Sequence, residues 1–155
     1  MPDKFQQYPT ENIVLILSKL PEFLRESMIR SRLEELTSMD LKTREEFIQS
    51  ILIGLTLADD DALRNVIRTW LIAMSKLKSS KILTIFSTYM NIYKKDPTLS
   101  EREYFKILLE VYQSLDENQR TVLRDCLVEV AFNHHLNKQI LRSVPPKVRL
   151  ALGLG

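Results

Sequence analysis

A chain of 155 residues, 45% apolar and 27% charged, fits one domain with a core of its own and needs neither disulfide nor metal to fold. A net charge of +2 excludes a uniformly basic protein, and one cysteine, Cys126, excludes an intrachain disulfide and suits the reducing cytoplasm. Three glycines disfavour tightly turned hairpins of strands; the first residues, Met-Pro-Asp-Lys-Phe-Gln-Gln, lack a signal-peptide hydrophobic region; and the longest apolar run, Ile51 to Ala58, is far too short to span a bilayer.

Helix-opening signals follow in chain order. Pro21 begins PEFLRESMIRSRLEEL, with proline where the first turn tolerates it. Thr43 with Glu46 has the form of a capping box ahead of FIQSILIGL. Asp59, Asp60 and Asp61 place acids where the next helix dipole favours them, ahead of ALRNVIRTWLIAMSKL. Ser79 and Ser80 precede KILTIFSTYMNIYKK, which closes on two lysines, the sign a helix C-terminus prefers. Ser100 with Glu103, and Asp116 with Gln119, repeat the capping-box form, and Asn137 opens a short last segment running into Pro145 and Pro146. The starts recur every ~20 residues, or ~14–16 helical residues and a turn. Within segments the apolar residues keep three-four spacing, as in Leu63, Ile67, Trp70, Met74 and Leu77, and no stretch alternates as a strand does. The expected fold is all-α, with about seven helices in a single domain over residues 1–155.

Charge is distributed in blocks of alternating sign. Residues 1–61 sum to −5, 62–95 to +7 with no acid, 96–130 to −4, and 131–155 to +4. The acid-free block carries Arg64, Arg68, Lys76, Lys78, Lys81, Lys94 and Lys95. A one-sign surface needs a counter-charge, from the flanking acidic blocks or from a partner. Helical spacing puts Arg64, Arg68 and Lys78 on one side of their helix, and Lys81, Thr84, Thr88, Asn91 and Lys95 on a polar ridge of the next. Arg64, Arg68, Lys76, Lys78, Lys81 and Lys95 are therefore the candidate partner-binding residues, with internal neutralisation the competing account. Trp70 and the tyrosines fall on or near apolar stripes, so stacking on bases is not indicated. The tail from Leu136 to Gly155, basic and apolar, reads as a cap on the core or an offered segment.

No catalytic, metal or cofactor constellation emerges. His134 and His135 are adjacent, so on a helix they point ~100° apart and fit one metal poorly. Cys126 lies on an apolar stripe and reads as a small buried hydrophobe. The three aspartates lack the glycine and terminal glutamate of a calcium loop, and neither a glycine-rich phosphate loop nor a nucleophile motif is present.

Three helix starts share a pattern: Pro21 with Leu24-Arg25, Asp60 with Leu63-Arg64, and Pro145 with Val148-Arg149. The first two continue alike, LRESMIRSRL against LRNVIRTWL. This Asp or Pro, followed by Leu/Val-Arg and then apolar helix every ~40 residues, resembles the second helix of HEAT-type repeats, although the unit due near residue 100 lacks it. The resemblance implies helix hairpins stacked as a binding scaffold without catalysis; an irregular helical bundle is the alternative. The expected function is a non-enzymatic protein–protein interaction or scaffold module, by a protein partner or self-association and without a membrane. A nucleic-acid-binding accessory protein using the basic 62–95 hairpin is the second reading.

Overall fold

The computed structural model describes residues 10–133 and, beyond them, Pro146 alone. The expected segment from Asn137, the histidine pair and the basic tail lie outside the described residues. Among those residues there are seven α-helices and no strand: α1 (Thr10–Ser18), α2 (Glu22–Ser38), α3 (Leu41–Leu57), α4 (Asp60–Ser75), α5 (Ser79–Lys95), α6 (Glu103–Ser114) and α7 (Glu117–Asn133). A 3-10 turn, Pro97–Glu101, joins α5 to α6. The all-α class stands.

The residues before α2, α3, α4 and α5 are Pro21, Asp40, Asp59 and Lys78, each 19 residues after the last. Asp116, ahead of α7, falls on the same series two periods later. The expected cap at Thr43 moves to Asp40, whose carboxylate accepts from the Thr43 amide at 2.8 Å. Thr43 therefore sits inside the first turn, where its own side chain has no amide to cap. Asp59 caps α4 in the same way through the Ala62 amide, with Asp60 and Asp61 in the first turn as expected. The Ser100–Glu103 box does not open a helix either. Pro97 starts a 3-10 turn that contains Ser100, and α6 begins at Glu103 after Arg102. The Asp116–Gln119 box forms in both directions, at 2.8 and 3.2 Å.

Odd-numbered helices pack on odd ones and even on even: α1 against α3, α3 against α5, α5 against α7; α2 against α4, α4 against α6. Helices three apart, such as α1 with α4 and α2 with α5, meet between these two rows. Apart from the longer link between α5 and α6, connections of two or three residues join consecutive helices and leave the tightest packing to alternate ones. The core runs through both rows. Ile29, Leu33 and Leu36 of α2, Ile82 of α5 and Val130 of α7 are each no more than 1% exposed, at three- and four-residue spacing within a helix. Burying an aliphatic side chain of this size contributes about 1.5–3 kcal/mol, and 28 buried residues, most of them aliphatic, form one continuous cluster.

Alternate helices are also joined by polar contacts in a fixed register. Arg25 Nε donates to Thr69 Oγ1 at 2.9 Å, and Arg44 Nε donates to Thr88 Oγ1 at 2.6 Å, each across 44 residues. Glu26 with Lys76 and Glu45 with Lys95 form ion pairs across 50 residues. Displacing either contact of each pair by 19 residues produces the other. The α2–α4 and α3–α5 joints are thus the same joint, made twice.

Candidate interaction surfaces

The acid-free block occupies α4 and α5, and most of its charge is answered within the fold. Arg64 Nη2 pairs with Glu110 of α6 at 2.8 Å, Lys76 with Glu26 of α2 at 2.6 Å, Lys95 with Glu45 of α3 at 3.1 Å, and Lys81 with Glu34 of α2. Three of these four acids come from the −5 block and one from the −4 block. These pairs lie largely at the surface, where such contacts contribute about 0–1 kcal/mol each, so they neutralise the block more than they stabilise the fold. Arg68 and Lys78 are exposed and make no ion pair among the described residues. The six candidate bases consequently do not form one open patch. Four are engaged, and two remain available, Arg68 midway along α4 and Lys78 just ahead of α5.

The expected polar ridge on α5 needs one correction. Thr88 is fully buried, because its hydroxyl is the acceptor for Arg44 and donates to Thr84 O at 2.9 Å. A ridge drawn on one helix alone cannot register a neighbour whose arginine arrives from 44 residues earlier. Trp70 and Tyr89 are half-buried against the core and Tyr93 is buried, so no aromatic platform faces outward beside the bases. Burial pushes the Tyr89 hydroxyl upward, away from titration near neutrality.

Cys126 is buried as expected, and burial pushes its thiol pKa up, with Glu129 and Asp125 adding to the effect. A thiol so placed is a poor nucleophile at neutral pH. Among the described residues no three metal-ligating side chains come together, and Asp59 is committed to capping α4. No described helix is long and apolar enough to cross a membrane.

A second surface, absent from the sequence reading, lies on α2. Phe23 is 71% exposed, Met28 48% and Leu24 41%, all on the side of the helix away from Ile29 and Leu33. Phe23 and Ser31 also line a shallow groove whose described walls come from α2 alone, with Glu26, Ser27 and Arg30. Further apolar side chains stand open nearby in sequence, Leu15 and Ile16 on α1. Solvated apolar side chains clustered on one helix face mark a surface that is covered in some other circumstance. The signal for it was present in the 19-residue register. Phe23 occupies the place held by Lys42, Asp61 and Ser80 in the next three helices, where polar side chains meet water.

Comparison with protein-family models, with curated proteins and with solved structures returns no match.

Proposed function

We propose that this chain is a non-enzymatic, cytoplasmic scaffold that binds protein through a stack of α-helices resembling HEAT-type repeats. The observation that carries this reading is the exposed apolar face of α2, where Phe23 stands in the place that the polar Lys42, Asp61 and Ser80 hold on the next three helices. The same joint between alternate helices, made at Arg25–Thr69 and again at Arg44–Thr88, supports the repeat-like part of the reading. Internal pairing of Arg64, Lys76, Lys81 and Lys95 supports a protein partner over a phosphate backbone.

A photo-crosslinking side chain placed at Phe23 in living cells forms a protein adduct, which Leu24→Glu removes while the helix content stays unchanged. The same group at Lys78 forms none. If Phe23 yields no protein adduct at any expression level, the scaffold reading fails. Arg68 and Lys78, exposed and unpaired among the described residues, keep a nucleic-acid accessory role as the second reading. Its mark is binding of mixed-sequence nucleic acid that falls steeply with salt and is lost in the Arg68→Glu, Lys78→Glu double variant. Absence of binding at low salt removes it.

A further inference from the structure

Two series of positions, each stepping by 19 residues, report how well successive helices are covered. In the first, Met28 is 48% exposed and Phe47 half-buried, while Val66, Ile85, Tyr104 and Leu123 are all at or below 4%. In the second, Ser31 is exposed and Ser50 half-buried, while Thr69, Thr88, Ile107 and Cys126 are all buried. The trend follows from what precedes each helix. Thr69 on α4 is covered by Arg25 of α2, and Thr88 on α5 by Arg44 of α3. α3 has only the nine-residue α1 as its predecessor in the row, and α2 has none among the described residues. The face of α2 bearing Met28 and Ser31 is thus a receiving face with no donor helix among the described residues.

The last described helix carries the matching donor. Arg120 stands four residues after Asp116, as Arg25 stands after Pro21 and Arg44 after Asp40. Its Nη1 donates to Gln113 O at 2.9 Å and Leu115 O at 2.8 Å, just as Arg25 Nη1 donates to Ser18 O at 3.3 Å and Leu20 O at 2.9 Å. In Arg25 and Arg44, Nε then reaches a hydroxyl two helices further on. In Arg120, Nε has no acceptor among the described residues. Eight residues after the cap, the buried Ile29, Ile48 and Ile67 give way on α7 to the exposed Arg124. Among the described residues Arg124 pairs there only with the neighbouring Asp125, at 3.7 Å. The receiving end carries Glu22, an exposed carboxylate without an ion pair among the described residues.

We propose that two copies of this chain associate head to tail, α7 of one copy seating against α2 of the next, with Arg120 Nε donating to the partner's Ser31. The contact continues an interface already made twice inside the fold, and among the described residues α7 holds its donor and α2 its receiving face. That is why the occupant of the α2 face is a second copy and not an unrelated helix. The proposal rests on the scaffold reading and specifies its partner. Because donor and acceptor faces differ, each added copy leaves one of each exposed, so association continues past the dimer.

Sedimentation velocity across a range of concentrations tests this. The full chain shows a weight-average mass that rises beyond two copies. Met28→Glu at the receiving end and Arg120→Ala at the donating end each weaken association about tenfold or more, by setting a charge on an apolar contact or removing its donor. An equimolar mixture of the two variants regains one good joint and stops at a dimer. Arg124→Glu, an exposed substitution, serves at the donating end if Arg120→Ala loses helix content. A chain that stays monomeric at every concentration overturns the proposal and leaves the Phe23 crosslink to decide the scaffold reading separately. Association lost in Met28→Glu but untouched by both donor-end variants overturns it in favour of a symmetric α2-to-α2 contact. Association untouched by any of the three overturns it as well.

Discussion

Helices α2 and α4 open on the same dipeptide, Leu24-Arg25 and Leu63-Arg64, and use it in opposite ways. Arg25 is 8% exposed and holds Thr69 together with two carbonyls of the preceding connection, Ser18 O and Leu20 O. Arg64 lies at the surface, where Glu110 of α6 holds its guanidinium above its ordinary pKa through a hydrogen bond and charge attraction. The difference is a single residue. Arg25 is fourth after its cap at Pro21, whereas Arg64 is fifth after Asp59, and one residue turns a side chain ~100° about a helix axis. The fourth place on α4 belongs to Leu63, which is 2% exposed. Register from the cap, and not the local dipeptide, decides which arginine becomes part of the core.

The sharpest way to break this comparison is to truncate both arginines. Arg25→Ala costs about 2–4 kcal/mol in a denaturant titration, because Thr69 and two carbonyls lose their donor in a buried place and the arginine stem leaves a void. Arg25→Lys does not restore it, since an ammonium cannot serve a hydroxyl and the carbonyls with the guanidinium's fixed fork. Arg64→Ala leaves the unfolding midpoint where it was. Equal costs at the two sites would show that both act as surface charges and that the cap register has no consequence.

The same register explains which parts of the molecule were legible in its sequence. Helical class and the cadence of helix starts were readable, since apolar periodicity and capping residues act within a turn or two of chain, but α1 was not among the starts read. The period was blurred to ~20 because only two of the four caps share a residue type: Pro21, Asp40, Asp59 and Lys78. Thr43 mimicked a cap three residues inside α3, and aligning Asp60 with Pro21 hid the one-residue offset that separates Arg64 from Arg25. The basic block was legible as composition, but its neutralisation was not. Glu26, Glu34 and Glu45 reach it across 47 to 50 residues, a distance at which only packing decides who meets whom. The receiving face of α2 escaped for a different reason. Phe23, Leu24 and Met28 look like ordinary helix hydrophobics until packing shows that no described helix covers them.

A smaller effect separates hydroxyls that carry a joint from one that does not. Thr69→Val and Thr88→Val keep the shape and remove the acceptor from Arg25 and Arg44, each costing about 1–2 kcal/mol. Combining Thr69→Val with Arg25→Ala should cost less than the sum of the two, the signature of one shared contact. Tyr104 is the opposite case: its ring is 2% exposed and its hydroxyl finds no partner among the described residues. Burial pushes that phenol up to about 12. Tyr104→Phe therefore leaves stability unchanged or raises it by up to about 1 kcal/mol. A loss as large as that of Thr88→Val would mean that the Tyr104 hydroxyl is satisfied and that the two classes are not distinct.

The least effect belongs to the ion pairs that accompany the arginine joints, and pH isolates it. Glu26 is held below its ordinary 4.5 chiefly by the hydrogen bond from Lys76, with burial opposing and the charges of Lys76 and Arg30 assisting. A carboxylate depressed in the folded state stabilises the fold above its ordinary pKa and stops doing so as the pH falls through the folded one. Glu26→Gln should therefore lower stability by less than about 1 kcal/mol near pH 7, and the gap from the parent chain should close as the pH drops below 4.5. Raising salt to about 1 M narrows the same gap at neutral pH, because the Glu26 and Lys76 side chains are 28% and 49% exposed and open to screening. Unfolding titrations of the two proteins at several pH values provide the measurement. A gap that persists unchanged from about pH 7 to about pH 3 would mean that Glu26 acts through packing and not charge. The α2–α4 joint would then differ in kind from the surface contact of Arg64, instead of carrying the same modest ion pairing beside a buried clamp.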